Sequence, residues 1–172
     1  MTPKVIYEDN QLLVLDKPPG LIVDPAETVK EETLADILQR EFQIKLPRGG
    51  IVHRLDKDTS GIILVAKTVE VLGNLQKQFQ ERVVRKEYLA LVHGEISEIG
   101  VVEGSIGRNP GNREKFIVLP GGKEAVTEYE PVKNFQFSIN FQSIFNDLNK
   151  IQMRKLEKQH YNEFTMVRCY PK

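Results

Sequence analysis

Apolar and polar positions alternate clearly enough at the start of the chain to name its first elements. Val5-Ile6-Tyr7, Glu8-Asp9-Asn10 and Leu12-Leu13-Val14-Leu15 read as strand, turn and strand. Lys17-Pro18-Pro19-Gly20 ends that unit, because two prolines cannot donate ladder hydrogen bonds. Leu34, Ile37, Leu38 and Phe42 recur at helical spacing and predict a helix over Thr33 to Phe42. Residues 43–60 show no period and predict a long ordered loop, a feature that in compact domains often serves function. Gly61-Ile62-Ile63-Leu64-Val65-Ala66 is a continuous apolar run, the pattern of a strand covered on both faces.

Thr68 then caps a helix predicted to reach about Arg82, with Val71, Leu72, Leu75 and Phe79 inward. Val84 to His93 reads as a strand, Gly94 to Gly100 as a turn region, and Val101 to Glu103 as a short strand. Gly104 to Asn112 reads as a loop. Lys115 to Leu119 and Glu124 to Phe135 read as a hairpin around Pro120-Gly121-Gly122. No internal repeat is visible. The pattern changes near the end. All twelve glycines lie at or before Gly122, and five of the eight phenylalanines fall after Asn134. Phe141, Ile144, Phe145, Leu148, Ile151 and Leu156 form a loose helical stripe there. An amphipathic helix and a poorly ordered end are both open readings.

Composition narrows the class. With 172 residues there is room for one ordinary domain. A single cysteine, Cys169, excludes an internal disulfide framework and a cysteine-based zinc site. No apolar run is long enough to span a bilayer as a helix, and Met1 to Asn10 has no signal-peptide core. A reducing, cytoplasmic setting is the expectation. The 24 basic and 24 acidic residues cancel overall but not locally. Residues 1–44 hold 4 basic and 9 acidic side chains, whereas residues 45–90 hold 9 basic and 5 acidic. A polyanion would therefore meet the middle segment first, although charge alone is equally consistent with an ordinary solvated face.

The strongest chemical signal lies in that segment. His53-Arg54-Leu55-Asp56-Lys57-Asp58-Thr59-Ser60-Gly61 directly precedes the apolar strand. A carboxylate at the end of a rigid element can face a cleft. Arg54 and Lys57 place positive charge on either side of Asp56, which favours the ionised form that a nucleophile or base requires. Taken by itself the stretch fits a charged surface loop at least as well. It is not a kinase catalytic loop, since the order is His-Arg-Leu-Asp and Gly61 stands where an Asn is needed. Asp56 and Asp58 could also be a glycosidase-like carboxylate pair, but nothing else in the chain supports that chemistry. His53, His93 and His160 are scattered, so no metal site is expected.

Four stretches together carry a resemblance. They are Val5 to Val23, the Asp56 stretch, Lys86-Glu87-Tyr88-Leu89-Ala90-Leu91-Val92-His93-Gly94, and Gly122-Lys123-Glu124-Ala125-Val126-Thr127-Glu128-Tyr129. In this order and spacing the chain resembles the RluA-type pseudouridine synthases over about residues 3–134. The resemblance implies an α+β fold, a mixed and largely antiparallel sheet with flanking helices. It implies isomerisation of uridine to pseudouridine in structured ribosomal or transfer RNA, with no metal or other cofactor. Asp56 matches the catalytic aspartate, which would attack the sugar carbon or remove a sugar proton. Tyr88 matches the active-site tyrosine, expected to pack on the uracil and help remove the C5 proton. Arg54 matches the residue that fills the space left by a flipped base. Lys17 and Pro18 match the first motif and imply structural support beneath the Asp56 loop. Arg108, Arg113, Lys115 and Lys123 could extend a phosphate-contacting strip.

After Asn134 the resemblance stops. The family continues with a strand and a Gly-Arg-x-His-Gln stretch that sets a basic residue against the aspartate, and no such stretch follows here. The expected organisation is a partial catalytic domain over residues 1–134 and a divergent tail over 135–172, of the kind a frameshift or truncation produces. Two readings of function follow: an active synthase, or a catalytically inactive RNA-binding remnant.

Overall fold

The computed structural model describes residues 2–25, 31–136 and 163–172. The chain divides into two compact units, Met1–Val84 and Arg85–Lys172.

In the first unit, β1 (Lys4–Glu8), β2 (Leu12–Lys17) and β3 (Gly61–Ala66) form an antiparallel sheet in the order β1-β2-β3. Register pairs Leu13 with Val65 and Leu15 with Ile63, and all four side chains are fully buried. The expectation that β3 is covered on both faces is corrected at its start. Ile62, on the opposite face, is 57% exposed, because strand alternation sends it away from the buried set. The helix α1 (Leu34–Glu41) follows its predicted limits, with Thr33 as N-cap and Phe42 as C-cap. Thr33 accepts from the Asp36 amide while Asp36 accepts from the Thr33 amide, a reciprocal capping box. Leu34, Ile37 and Leu38 are buried along one stripe. The helix α2 (Val69–Gln80) starts at its Thr68 cap, but of the four residues expected inward only Leu72 is buried.

The long loop is pinned rather than free. A 3-10 turn at Pro47–Gly50 packs on α1, and Ile51 bridges to Val65 of β3. Gly50 has φ +80, and a Cβ there would stand 2.1 Å from the Ala66 carbonyl oxygen, so only glycine fits.

In the second unit, β4 (Tyr88–His93), β5 (Gly100–Asn109), β6 (Asn112–Val118), β7 (Lys123–Gln136) and β8 (Glu163–Pro171) form a sheet in the order β4-β8-β7-β5-β6. Every pairing is antiparallel. Two expectations are corrected here. Gly104 to Asn109 is not a loop but the second half of β5. Its glycines give close approach instead of a break: a Cβ on Gly107 would stand 3.0 Å from Leu119. Nor do β6 and β7 form a hairpin. β5 lies between them, pairing Gly107 with Ile117 and Glu103 with Val126. The connecting residues cross β5, where the Leu119 amide donates to the Ser105 carbonyl and Gly122 lies against the Ile106 backbone.

The end of the chain supplies an interior strand that the sequence pattern does not announce. β8 pairs with β4 on one side and β7 on the other, and the boundary expected at Asn134 falls inside β7. Thr165 and Val167 alternate inward and are buried. The Thr165 hydroxyl accepts from the Ile96 amide and lies 2.8 Å from both the Gly94 carbonyl and the Asn134 side-chain oxygen. The helical stripe expected between Phe141 and Leu156 lies outside the described residues.

Candidate active-site loop

The loop carrying Asp56 is assembled on a buried ammonium. Lys17, the last residue of β2, has no exposed surface. Its Nζ donates to three main-chain carbonyls: Pro18 at 3.0 Å, Leu21 at 2.8 Å and Lys57 at 3.0 Å. Three donors meet three acceptors, which satisfies an ammonium that water cannot reach. Burial lowers the Lys17 pKa, and the nearby Asp58 and Asp56 carboxylates work in the opposite direction. The Lys57 carbonyl also accepts from the Gly20 amide at 2.8 Å. Gly20 has φ 87, so the Pro18-Pro19-Gly20 turn reaches the loop through a conformation suited to glycine.

Around this anchor the loop alternates. Leu55 is buried, while Arg54 and Asp56 on either side are exposed, as are Lys57 and Asp58. The Thr59 amide donates to the Asp56 carbonyl at 3.1 Å, closing a turn directly after the carboxylate. Gly61, at φ 127, then leads into β3. Lys57 extends outward and pairs with Glu31 at 3.1 Å. No hydrogen bond or ion pair engages the Arg54 guanidinium among the described residues. The loop thus presents the carboxylates of Asp56 and Asp58, and a guanidinium without a partner among the described residues, from a backbone that is fixed from beneath.

His53 opens the motif without a role assigned to it by the sequence. Its Nε2 accepts from the Leu64 amide at 3.0 Å, and its ring stacks on Phe79 of α2 at 4.8 Å. Burial lowers its pKa. Its place in the motif is the only hint the sequence holds, because the contact spans eleven residues without a local pattern.

Tyr88 belongs to the second unit. It opens β4 and is half-buried, opposite Cys169 of β8, which in turn stands opposite Tyr129 of β7. Tyr88 therefore shares the sheet face that holds the buried Thr165 and Val167. On the other face Arg168 pairs with Glu87 at 3.0 Å and Glu130 at 2.6 Å, and Glu130 also accepts from the Tyr170 hydroxyl. Of the possible phosphate contacts, Arg108 lies over the Phe116 ring at 4.2 Å, and Lys115 and Lys123 are exposed. No side-chain geometry is described for Arg113.

A family model, RNA pseudouridylate synthase, matches residues 11–171, from β2 to β8. The chain belongs to the RNA pseudouridylate synthase family. Ribosomal large subunit pseudouridine synthase D of Nitrosomonas europaea is 44% identical over 137 residues, which is 78% of this chain and 40% of that protein. The protein of the same name from Pseudomonas aeruginosa is 42% identical over 135 residues, 77% of this chain and 42% of its own length. The chain thus spans about two-fifths of the relatives it matches. Among solved structures, human RNA pseudouridylate synthase domain containing 1 superposes with a TM-score of 0.70 at 20% identity, covering 99% of this chain and 59% of that one. That likeness establishes the α+β pseudouridylate synthase fold. The family match also runs past Asn134, where the resemblance in motifs stops, and takes in β8.

Proposed function

We propose that this chain carries the catalytic loop of an enzyme that converts uridine to pseudouridine in structured RNA, with Asp56 as the reacting carboxylate. The observation that carries the reading is the exposed Asp56 on a loop fixed from below by Lys17, within a chain of this family. The reaction breaks the C1′–N1 bond of uridine and forms a C1′–C5 bond; C5 loses a proton and N1 gains one. Nothing is oxidised or hydrolysed. Asp56 either attacks C1′ or removes a sugar proton, and both roles need a carboxylate that reaches an extruded nucleotide. The uncommitted Arg54 guanidinium, two residues away, suits RNA contact in the space the base leaves. Tyr88 is assigned to packing on the uracil and assisting loss of the C5 proton. The substrate is proposed to be ribosomal RNA, on the strength of the relatives' names; transfer RNA is the other candidate from the sequence.

The test is tritium release from C5-labelled uridine in ribosomal transcripts. Release by the chain, abolished by Asp56→Ala, is the expected result. RNA binding without release from the unaltered chain would overturn the catalytic reading and favour the inactive remnant. Free uracil among the products would instead indicate a hydrolase.

A further inference from the structure

We infer that His53 is a positioning residue of the Asp56 loop, a neutral hydrogen-bond acceptor that clamps the loop to the outer edge of β3. The inference rests on the reading of Asp56 as the reacting group. Among the described residues β3 ends the β1-β2-β3 sheet, and one of its edges is taken by β2. Strand amides on the free edge need other partners. Ile51 bridges to Val65, and the imidazole Nε2 of His53 accepts from the next amide, that of Leu64, at 3.0 Å. A side chain here takes the place of a fourth strand.

Only an unprotonated ring nitrogen can accept an N–H, so Nδ1 carries the proton. Stacking on Phe79, with the ring planes 19° apart, fixes the ring's orientation from the α2 side. Leu55, two residues on, is buried, and Asp56 follows it. The clamp and the carboxylate are therefore three residues apart on one anchored segment. Protonating Nε2 would turn an acceptor into a donor facing another donor, and the contact with β3 would be lost.

The surroundings keep the ring neutral. β3 carries no titratable residue. On α2 and just past its end the charged residues are Glu70, Lys77, Glu81 and Arg82, all exposed, with Lys77 paired to Glu81 at 3.8 Å. On the loop, Arg54, Asp56, Lys57 and Asp58 are exposed, and Lys57 is paired to Glu31. Burial alone acts on the imidazole, and it disfavours the cation.

The test uses the full chain, His53→Gln and His53→Phe. Gln keeps an acceptor near the Nε2 position but does not titrate; Phe keeps the stack and removes the acceptor. Hydrogen exchange at the Leu64 amide and tritium release are followed from pH 7.5 to pH 5. In the unaltered chain, Leu64 protection is expected to fall about tenfold or more as the His53 ring protonates. Gln should hold protection across the range, and Phe should show little at either end. The acid limb of kcat should follow the His53 titration and vanish in Gln, with KM changing less. Unchanged Leu64 protection through the titration, or the same acid limb in Gln, would overturn the clamp. If Phe does not fold, the comparison of Gln with the unaltered chain decides alone. Should no form release tritium, the assignment of Asp56 fails, while Leu64 exchange still decides the role of His53.

Discussion

The ammonium of Lys17 donates to the carbonyl of Lys57 at 3.0 Å, across forty residues of sequence and one residue past Asp56. That single contact ties the end of β2 to the loop on which the proposed chemistry depends. Pro18 and Leu21 supply the other two acceptors, so the lysine is shared between its own turn and the loop. Asp56 and Asp58 contribute by charge rather than by contact.

Lys17→Met should therefore be severe. The substitution fills the same volume but leaves the buried Leu21 carbonyl and the part-buried Pro18 carbonyl without the ammonium, at about 1–3 kcal/mol for a group that water cannot reach, while the Lys57 carbonyl keeps the Gly20 amide. A loss of about 2 kcal/mol or more in urea unfolding is expected, with faster proteolysis at Asp56 to Ser60. Lys17→Arg should not rescue it, because a planar guanidinium cannot point its donors to three carbonyls around one nitrogen. Wild-type stability in either variant would show that the ammonium is not the anchor.

Asp56 and Asp58 separate the isomerase reading from the hydrolase reading. Both are exposed, so replacing either should shift unfolding free energy by less than about 0.5 kcal/mol. Asp56→Asn should abolish tritium release, a loss of about a thousandfold or more, as removal of a covalent or basic group does. Asp58→Asn should keep most of it. Equal loss in both, with unchanged RNA binding, would point to a two-carboxylate mechanism instead.

How far the sequence disclosed this arrangement depends on the range of each interaction. α1 was legible because Thr33, Asp36 and the Leu34, Ile37, Leu38 stripe are local, and β3 because six apolar residues run together. β5 was not, because Gly104 and Gly107 look like breaks until the crossing of Leu119 and Gly122 is seen. The partners of β6 and β7 were hidden for the same reason: a turn sequence says where the chain bends, not which strand it bends onto. β8 sits beyond a shift in composition that masked a short alternation. The proposed roles of Asp56, Arg54 and Tyr88 rest on motifs, whereas the contacts of Lys17 and His53 are set by tertiary structure and leave no periodic trace.

Acid should act on α1 through its capping box. Asp36 accepts from the Thr33 amide and hydroxyl, and these bonds hold its pKa below the usual 3.8. A depressed carboxyl stabilises the fold above the unfolded-state value, and the contribution disappears as pH falls from about 3.8 through the folded value. Asp36 is exposed, so solvent limits the size of the effect. Thr33 is buried, and Thr33→Ala should cost about 1–2 kcal/mol by removing the cap. The variant should also lose part of the acid dependence below pH 4, read from Tm across pH 2.5 to 6. An unaltered pH profile would place that dependence elsewhere.

Arg54 provides the cleanest separation of RNA contact from folding. Its side chain is exposed and makes no hydrogen bond or ion pair among the described residues, so the fold does not depend on it. Arg54→Ala should leave Tm within about 2 °C, the range expected when a surface change costs under 0.5 kcal/mol. If the guanidinium meets a phosphate, the slope of log affinity against log salt should fall by about one, and Arg54→Lys should restore it. If it stacks in place of an extruded base, salt dependence should barely move, and Lys, which lacks the planar face, should not restore binding. Filter binding to one transcript at several salt concentrations distinguishes these outcomes. Unchanged affinity in the Ala variant at every salt concentration would remove Arg54 from the RNA surface.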